Sequence, residues 1–329
     1  MPYYPEKKPD VPEEAKQQAK TPEKRKRFLR LSLAVVSCLL IGYGGIRLIQ
    51  YFSDLTASGQ TSAELRQISR IADSGTDSSL PEKEETLTPS PAPAPAEQEP
   101  QKAEPLSPAG KTDDDLLPPV PYPDNPKSEI SGRFRTLRKK SVYIVGWISF
   151  DQVDEAVAQK NNTFFLKHDA LGKRNGNGAI FLDEDIRLAA RRPYTLILYG
   201  HNMKSGNMFG RLKKYKESTY FYRHRIITFD TMYEEGRYAV FAVMDMKTVP
   251  GTGLWYDLWS LNTDSFTDRE KAIRALESRS VIRSMLDVQA DDQLLLLITC
   301  LDGETERLVV AARRLRDDET ADRLTLRLN

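Results

Sequence analysis

The feature that most constrains the fold lies near the C-terminus, where Leu294–Cys300 begins with five consecutive aliphatic residues. The run is preceded by Asp291-Asp292 and followed by the turn signal Asp302-Gly303. Such a short run is typical of a strand that is buried on both faces, although a buried helix segment gives the same pattern. A second apolar run, residues 308–312, follows after a short loop. The two runs predict an antiparallel hairpin.

The hairpin would place a thiol, Cys300, at the end of one strand and a guanidinium, Arg307, at the start of the next. Directly opposed residues on such strands have Cβ atoms about 5 Å apart. The other cysteine, Cys38, lies in an N-terminal apolar segment, so Cys300 has no intramolecular disulfide partner outside that segment. Because a free cysteine is most often a small buried apolar residue, a chemical role for Cys300 needs support from other residues.

Support comes from a second stretch, Thr195–Met203, in which a strand-like run ends in Gly-His-Asn. A histidine at the end of a strand lies where loops on a rigid scaffold carry function, so His201 is a candidate catalytic residue. The alternative is that His201 only caps a turn. His168 and His224 have charged neighbours and are interpreted as surface residues.

The composition changes along the chain and predicts four segments. Residues 1–30 are polar, are expected to form a disordered tail, and contain the basic cluster Lys24–Arg27. Residues 31–52 have about the 20-residue length that a transmembrane helix needs, with a cleaved signal peptide as the alternative. Residues 53–127, rich in Ser, Thr, Glu and Pro, are expected to form a disordered, semi-rigid linker before a globular domain at 128–329. Because the basic cluster precedes the apolar span, we expect a cytoplasmic N-terminus, a single-pass anchor in the cell membrane and an extracellular domain.

Within the predicted domain, short apolar runs alternate with Gly, Asn and Asp, which favours a closed or sandwich-like β architecture. The strands predicted before the terminal hairpin cover residues 142–150, 163–166, 179–182, 194–199, 225–229 and 238–244. Helices are predicted at residues 129–140, 208–215 and 267–277. The last of these would begin with the capping box Thr267–Glu270.

The composition also excludes several classes of function. The chain has 48 basic and 47 acidic residues, a net charge of +1, so nothing favours binding to nucleic acid. Three scattered histidines and the two cysteines lack the spacing of a zinc site, so no metal is expected. The sequence contains neither a phosphate-binding loop nor a dinucleotide fingerprint, and no cofactor is expected.

A series of segments resembles the class B sortases. The catalytic-histidine region of that family resembles Tyr199–Met203 and residues 207–215, its Thr-Cys signature resembles Ile298-Thr299-Cys300, and its arginine-bearing strand resembles Thr305–Val310. Three further segments are similar, in the same order, to the early strands of the family: residues 145–148, 165–169 and 178–183. The resemblance covers the whole predicted domain.

The resemblance implies an eight-stranded β-barrel with a few short helices and the activity of a cysteine transpeptidase. Such an enzyme cleaves the C-terminal sorting signal of an exported protein and transfers that protein to an amine, either of a cell-wall precursor or of a pilin lysine. It implies that Cys300 is the nucleophile that forms a thioester, His201 the acid and base, and Arg307 the donor to the substrate carbonyl or oxyanion. Three neighbours are candidates for substrate contacts: Asn202, Ile298 and Thr299.

Three alternatives remain open at this stage. Arg313 has the same strand parity as Arg307 and is the second candidate for the catalytic arginine. A cysteine endopeptidase that releases its product to water would share the thioester and differ in the acceptor. An anchored binding or scaffold protein would keep the barrel without the chemistry.

Overall fold

The two C-terminal apolar runs form neighbouring antiparallel strands in a computed structural model of the chain, as predicted. The structure describes residues 21–74, 115–189, 191–300 and 305–320. Eight strands occur in this part of the chain: β1 (Ile144–Phe150), β2 (Val153–Ala158), β3 (Ile180–Leu182), β4 (Thr195–Gly200), β5 (Ile226–Thr231), β6 (Arg237–Lys247), β7 (Leu294–Cys300) and β8 (Glu306–Arg314). They close into a barrel in the order β1-β2-β3-β4-β7-β8-β6-β5, which confirms the predicted eight-stranded barrel.

The described residues also form four α-helices: α1 (Thr21–Asp73), α2 (Gly132–Lys140), α3 (Ser218–Arg223) and α4 (Phe266–Ser278). Three short 3₁₀ helices lie between strands: Phe164–Leu166, Leu212–Lys216 and Leu258–Asn262. In the barrel, β7 is parallel to β4 and antiparallel to β8. This arrangement brings the ends of β4 and β7 and the start of β8 to one edge.

The apolar run in β7 is explained by burial on both faces. Leu295 and Leu297 pack inside the barrel with residues from each of the other seven strands. Leu296 and Ile298 alternate with them on the outer face, in a second buried cluster that also contains residues of α4. Since successive side chains of a strand point to opposite faces, an unbroken apolar run is what a strand between two cores requires.

Three sequence predictions differ from the structure. Residues 163–166 are not a strand, because the Asn161 side chain accepts the backbone N–H of Phe164 at 2.8 Å and starts a helical turn. The predicted helix at 208–215 is only the 3₁₀ turn Leu212–Lys216. Helix α4 is present, but its N-cap is Ser265, whose hydroxyl accepts the Asp268 N–H at 3.2 Å, rather than Thr267.

The chain divides into two compact units, Met1–Thr56 and Ala57–Asn329. Part of the predicted tail and all of the predicted anchor, residues 31–52, are helical and belong to α1 in the first unit. The stretch Lys26–Asp73 is the one helix among the described residues that is long and apolar enough to cross a membrane, with a mean hydropathy of 1.8 over its most apolar window.

Both ends of the predicted linker differ from the expectation, while its middle, residues 75–114, lies outside the described residues. Residues 57–73 continue α1 and belong to the barrel unit, where Leu65 is 2% exposed in the cluster that covers β1 to β3. The other end is also packed, because Tyr122 is buried and its hydroxyl donates to the Leu188 carbonyl at 2.6 Å. Ser58, Ser62, Leu65 and Ser69 form one buried stripe along the helix, and a composition rich in serine and threonine conceals that stripe.

Candidate active site

The candidate triad, His201, Cys300 and Arg307, lies at the ends of three neighbouring strands at one edge of the barrel, with His201 directly after β4. The parallel register of β4 and β7 ends with Gly200 opposite Thr299. His201 and Cys300 are the next positions in that register, on strands about 4.8 Å apart. On the other side of β7, Cys300 pairs with Arg307. The fold therefore brings together the three residues that lie 99 and 7 positions apart in sequence.

The three positions also share one face. Leu198, Leu297 and Leu308 point into the barrel interior, whereas Ile298 and Val309 lie in the outer cluster. Because side chains alternate along a strand, the positions of His201, Cys300 and Arg307 have outward parity. The backbone register thus brings positions 201, 300 and 307 next to one another at the ends of three adjacent strands.

A backbone carbonyl holds the His201 ring. Its Nε2 lies 2.9 Å from the carbonyl oxygen of Leu166, which can only accept a hydrogen bond. Nε2 therefore carries the proton, and in the neutral ring Nδ1 has the lone pair. Gly178 lies against this contact: an added Cβ there would be 2.9 Å from His201 Cδ2 and 2.4 Å from the Phe165 carbonyl oxygen. The close approach of the chain to the ring requires a residue without a side chain.

Tyr199 and Asp183 form a hydrogen-bonded pair that interacts electrostatically with Arg307. The Tyr199 hydroxyl donates to Asp183 Oδ2 at 2.9 Å, and Asp183 is 1% exposed. Burial, followed by the Asp183 carboxylate, raises the pKa of the Tyr199 phenol well above its ordinary value, while the positive charge of Arg307 opposes the rise. Tyr199 is thus a neutral donor, and Arg307 lies within electrostatic reach of it.

Comparisons with known proteins agree with this geometry. The family model of the sortase domain matches residues 148–315, about half of the chain. The chain belongs to the sortase family.

Curated and solved relatives place it beside the class B members. It is 27% identical over 197 residues to sortase B of Listeria monocytogenes, covering 57% of this chain and 76% of that protein. It is 29% identical over 196 residues to sortase B of Staphylococcus aureus, covering 58% and 78%. A crystal structure of Bacillus anthracis sortase B is 28% identical with a TM-score of 0.51, covering 61% of this chain and 90% of that one. Sortases are cysteine transpeptidases that anchor proteins to the cell wall, and this chain is a class B member of that family.

The alternative arginine of this sortase, Arg313, lies at the other end of β8, opposite Leu294. It is 0% exposed, and its guanidinium donates to both carboxylate oxygens of Glu319 at 2.7 and 2.8 Å. A second carboxylate, Asp292, lies 3.8 Å away. These contacts give Arg313 a structural environment and separate it from the candidate triad.

The three predicted substrate contacts lie in different environments. Ile298 is 2% exposed in the outer cluster, and Thr299 is 2% exposed with inward parity. Both are therefore packed residues rather than part of an open surface. Among the residues that the structure describes, no partner hydrogen-bonds to Thr299 Oγ1. Asn202 is partly exposed and forms an isolated antiparallel bridge with Met208, so it stays a candidate for a substrate contact.

Sequence reasoning did not assign roles to several residues around the triad. Tyr199 and Asp183 belong to segments that resemble sortases, but their hydrogen bond is visible only once β3 and β4 are paired. The Leu166 carbonyl has no sequence signature at all, because any residue supplies a backbone carbonyl. In the described part of the chain, no group of three or more His, Cys, Asp or Glu side chains is arranged to hold a metal.

Proposed function

We propose that this sortase is anchored in the cell membrane, cleaves a C-terminal sorting signal through a thioester on Cys300, and transfers the exported protein to an amine. The observation that carries the proposal is that β4 ends beside Thr299 of β7, directly before His201, and that Cys300 of β7 pairs with Arg307 of β8. A histidine, a thiol and an arginine on adjacent strands are the groups that acyl transfer through cysteine needs.

In the first half of the reaction, the Cys300 thiolate attacks the scissile carbonyl carbon and forms a tetrahedral intermediate. The C–N bond then breaks while the protonated His201 ring donates its Nδ1 proton to the leaving amine. The products of this half are a thioester on Cys300 and a free C-terminal fragment. Because the Leu166 carbonyl occupies Nε2–H, Nδ1 is the nitrogen left for this transfer.

In the second half, an amine attacks the thioester carbonyl, and the neutral His201 accepts the proton that the amine loses. The C–S bond breaks, the new amide leaves, and the thiolate is regenerated. Water in place of the amine would give hydrolysis instead, so the acceptor alone distinguishes a transpeptidase from an endopeptidase.

Arg307 stabilises the oxyanion of both tetrahedral intermediates. Its guanidinium belongs to a half-buried residue at the start of β8, paired with Cys300 in the antiparallel register. A planar guanidinium offers several donors in a fixed geometry, whereas a lysine ammonium is a mobile point charge. Preorganised donors of this kind contribute most where water is partly excluded.

Solved relatives support the two ligand classes. One neighbour is a Staphylococcus aureus sortase B–substrate complex, and another is sortase B complexed with triglycine. We propose that this chain likewise binds a sorting-signal peptide and an amine acceptor, either a cell-wall precursor or a pilin lysine.

The membrane anchor is proposed from the apolar part of α1. The basic cluster Lys24–Arg27 precedes this part, and the positive-inside rule then places the N-terminus in the cytoplasm and the barrel outside. Protease added to intact protoplasts is expected to remove the barrel. Protection in intact protoplasts with digestion after lysis would reverse the orientation.

A peptide-library cleavage assay on the full chain in detergent tests the reaction itself. With an amine nucleophile present, we expect an amide product that contains the amine, and little hydrolysis. Cleavage that gives only the free acid at every amine concentration would make the protein an endopeptidase. No cleavage of any peptide, together with no labelling of Cys300 by a thiol-reactive substrate mimic, would favour the scaffold alternative.

A further inference from the structure

Within the barrel unit, the last turns of α1, residues 57–73, pack on the barrel partly through small polar side chains. Ser58 and Ser62 are buried, and Ser62 donates to Glu155 at 2.6 Å. Leu65 is the one fully buried apolar residue of residues 57–73, so apolar packing alone does not explain the position of this helix segment. A cavity of only about 20 Å³ remains beneath it, lined in part by Ser58 and Gly178. The helix is thus seated closely on the segment that holds Gly178.

Two hydroxyl groups of the helix fasten that segment, the loop at residues 167–178. The Ser58 hydroxyl donates to Asn175 Oδ1 at 3.1 Å and accepts from Asn177 Nδ2 at 3.2 Å, with all three residues buried. The Thr61 hydroxyl donates to Asp169 Oδ2 at 3.1 Å. Buried hydrogen bonds of this kind fix geometry, because breaking one leaves a buried polar group without its partner.

Two of the loop side chains that the helix contacts, Asp169 and Asn175, also form hydrogen bonds within the loop. Asp169 Oδ1 accepts the N–H groups of Leu171 and Lys173 at 3.1 and 2.9 Å. Asn175 Oδ1 accepts the Asn177 N–H at 2.9 Å, and the Asn175 N–H donates to the Lys167 carbonyl at 2.9 Å. Asp169 and Asn175, which the helix contacts, are therefore also the centres of turns in the loop.

The loop ends at the His201 ring. The carbonyls on either side of Leu166 are held by the loop, since Ala179 N–H donates to Phe165 and Asn175 N–H donates to Lys167. The Leu166 carbonyl between them accepts from His201 Nε2 at 2.9 Å. Ser58 is thus linked to the imidazole by hydrogen bonds from Ser58 to Asn175 and from Asn175 to the Lys167 carbonyl, by the backbone from Lys167 to Leu166, and by the Leu166–His201 hydrogen bond.

We propose that residues 57–73 of α1 are a positioning element of the active site, and that Ser58 and Thr61 are positioning residues that hold the Leu166 carbonyl against His201. The inference rests on the proposed role of His201 as acid and base. It means that the helix segment that leads from the apolar span to the barrel takes part in setting the tautomer and orientation of the catalytic ring. Undocking this segment would release the carbonyl that keeps the proton on Nε2.

The test uses the full chain in detergent micelles, comparing wild type with Ser58→Ala/Thr61→Val. Valine keeps the β-branched shape of threonine and removes only the hydroxyl. Nitrogen NMR of ¹⁵N-histidine reports the His201 tautomer directly, and with three histidines in the chain His168→Gln and His224→Gln complete the assignment. We expect the wild-type ring to be the Nε2–H tautomer and the double variant to show a mixture. We also expect kcat to fall by roughly tenfold with KM little changed, because small displacements of a catalytic group cost up to about 10²-fold in rate.

The matched control is Glu64→Gln, on the same helix segment. Glu64 pairs with Lys140 at 3.1 Å on the exposed side and does not contact the loop. Its variant is expected to keep the wild-type tautomer and kcat, since exposed ion pairs contribute little. If the double variant unfolds, the single variants Ser58→Ala and Thr61→Val replace it. Each is expected to show a smaller change in the His201 tautomer and a smaller fall in kcat.

A wild-type tautomer or a wild-type kcat in the folded Ser58→Ala/Thr61→Val protein would overturn the inference. Failure of the proposed function has a different signature. In that case His201→Gln would remain active, while the tautomer measurement would still decide whether the helix positions the ring.

Discussion

Arg307 and Arg313 lie six residues apart on β8 and have the same outward parity, but their environments are opposite. Arg313 is 0% exposed and donates two hydrogen bonds to the Glu319 carboxylate. Arg307 is half-buried, donates to the Glu306 carbonyl at 3.0 Å and pairs with Cys300 across the hairpin. The comparison shows that residue type and strand parity do not assign a role. The burial and the partners at each end of the strand do.

The largest expected effect is at the Cys300 end of the hairpin. Cys300→Ala removes the proposed nucleophile, so kcat/KM should fall by at least roughly 10³-fold while the fold is kept. Cys38→Ala is the control, because Cys38 lies in the apolar part of α1. The measurement is cleavage of one sorting-signal peptide, with circular dichroism to check folding. Comparable turnover by Cys300→Ala and wild type would end the proposed mechanism.

The next effect is at the Arg313 end. Arg313 is fully buried, whereas the Glu319 side chain is 16% exposed and also accepts the Arg316 N–H. Arg313→Gln should therefore lower the free energy of unfolding by about 1–3 kcal/mol, less than the loss of a partner in a fully buried ion pair. Urea unfolding of the wild type and the variant measures this loss. A loss smaller than about 0.5 kcal/mol, as for an ordinary surface substitution, would show that the Arg313–Glu319 pair does not hold this end of the barrel.

A smaller, pH-dependent effect should come from Glu319. Burial alone would raise the pKa of this carboxyl, but hydrogen bonds from Arg313 and from the Arg316 N–H outweigh burial and hold the pKa below 4.5. A carboxyl group whose pKa is lowered in the folded state stabilises the fold at any pH above its ordinary pKa. This stabilisation is lost as the pH falls through the folded-state pKa. Glu319→Gln should therefore lower Tm at pH 7, and the difference from wild type should shrink below pH 4.5. A Tm difference that stays constant from pH 7 to pH 3 would contradict this pairing.

Some of this architecture was predictable from sequence because it repeats a simple pattern. The β7–β8 hairpin follows from two apolar runs with a short loop, since only a strand between two cores is apolar on both faces. Strand β2 was not predicted, because Asp154 and Glu155 interrupt its apolar pattern. In the structure the Trp147 indole donates to Asp154 at 2.7 Å, so a charged residue is part of the sheet surface.

Other parts depend on contacts that have no local signature. Residues 57–73 pack against the barrel through serines at helical spacing. A serine-rich composition is also typical of a linker. His201, Cys300 and Arg307 were identified from motifs, whereas the Leu166 carbonyl that fixes the His201 tautomer was not, because a backbone group is the same in every residue. Sequence thus identified the proposed reacting groups, and the tertiary structure was needed to find what orients the His201 ring.

The most direct test of the contrast between the two arginines is kcat/KM of Arg307→Ala, Arg307→Lys and Arg313→Gln on one cleavable peptide, corrected for the folded fraction. Loss of an oxyanion donor typically costs about 10²–10³-fold. We expect both Arg307 variants to lose at least roughly tenfold, about 1.4 kcal/mol, with lysine the milder because it restores charge without the planar donors. Folded Arg313→Gln should keep kcat/KM close to that of the wild type. An active Arg307→Ala together with an inactive but folded Arg313→Gln would contradict the assignment of Arg307 to the chemistry and of Arg313 to the fold.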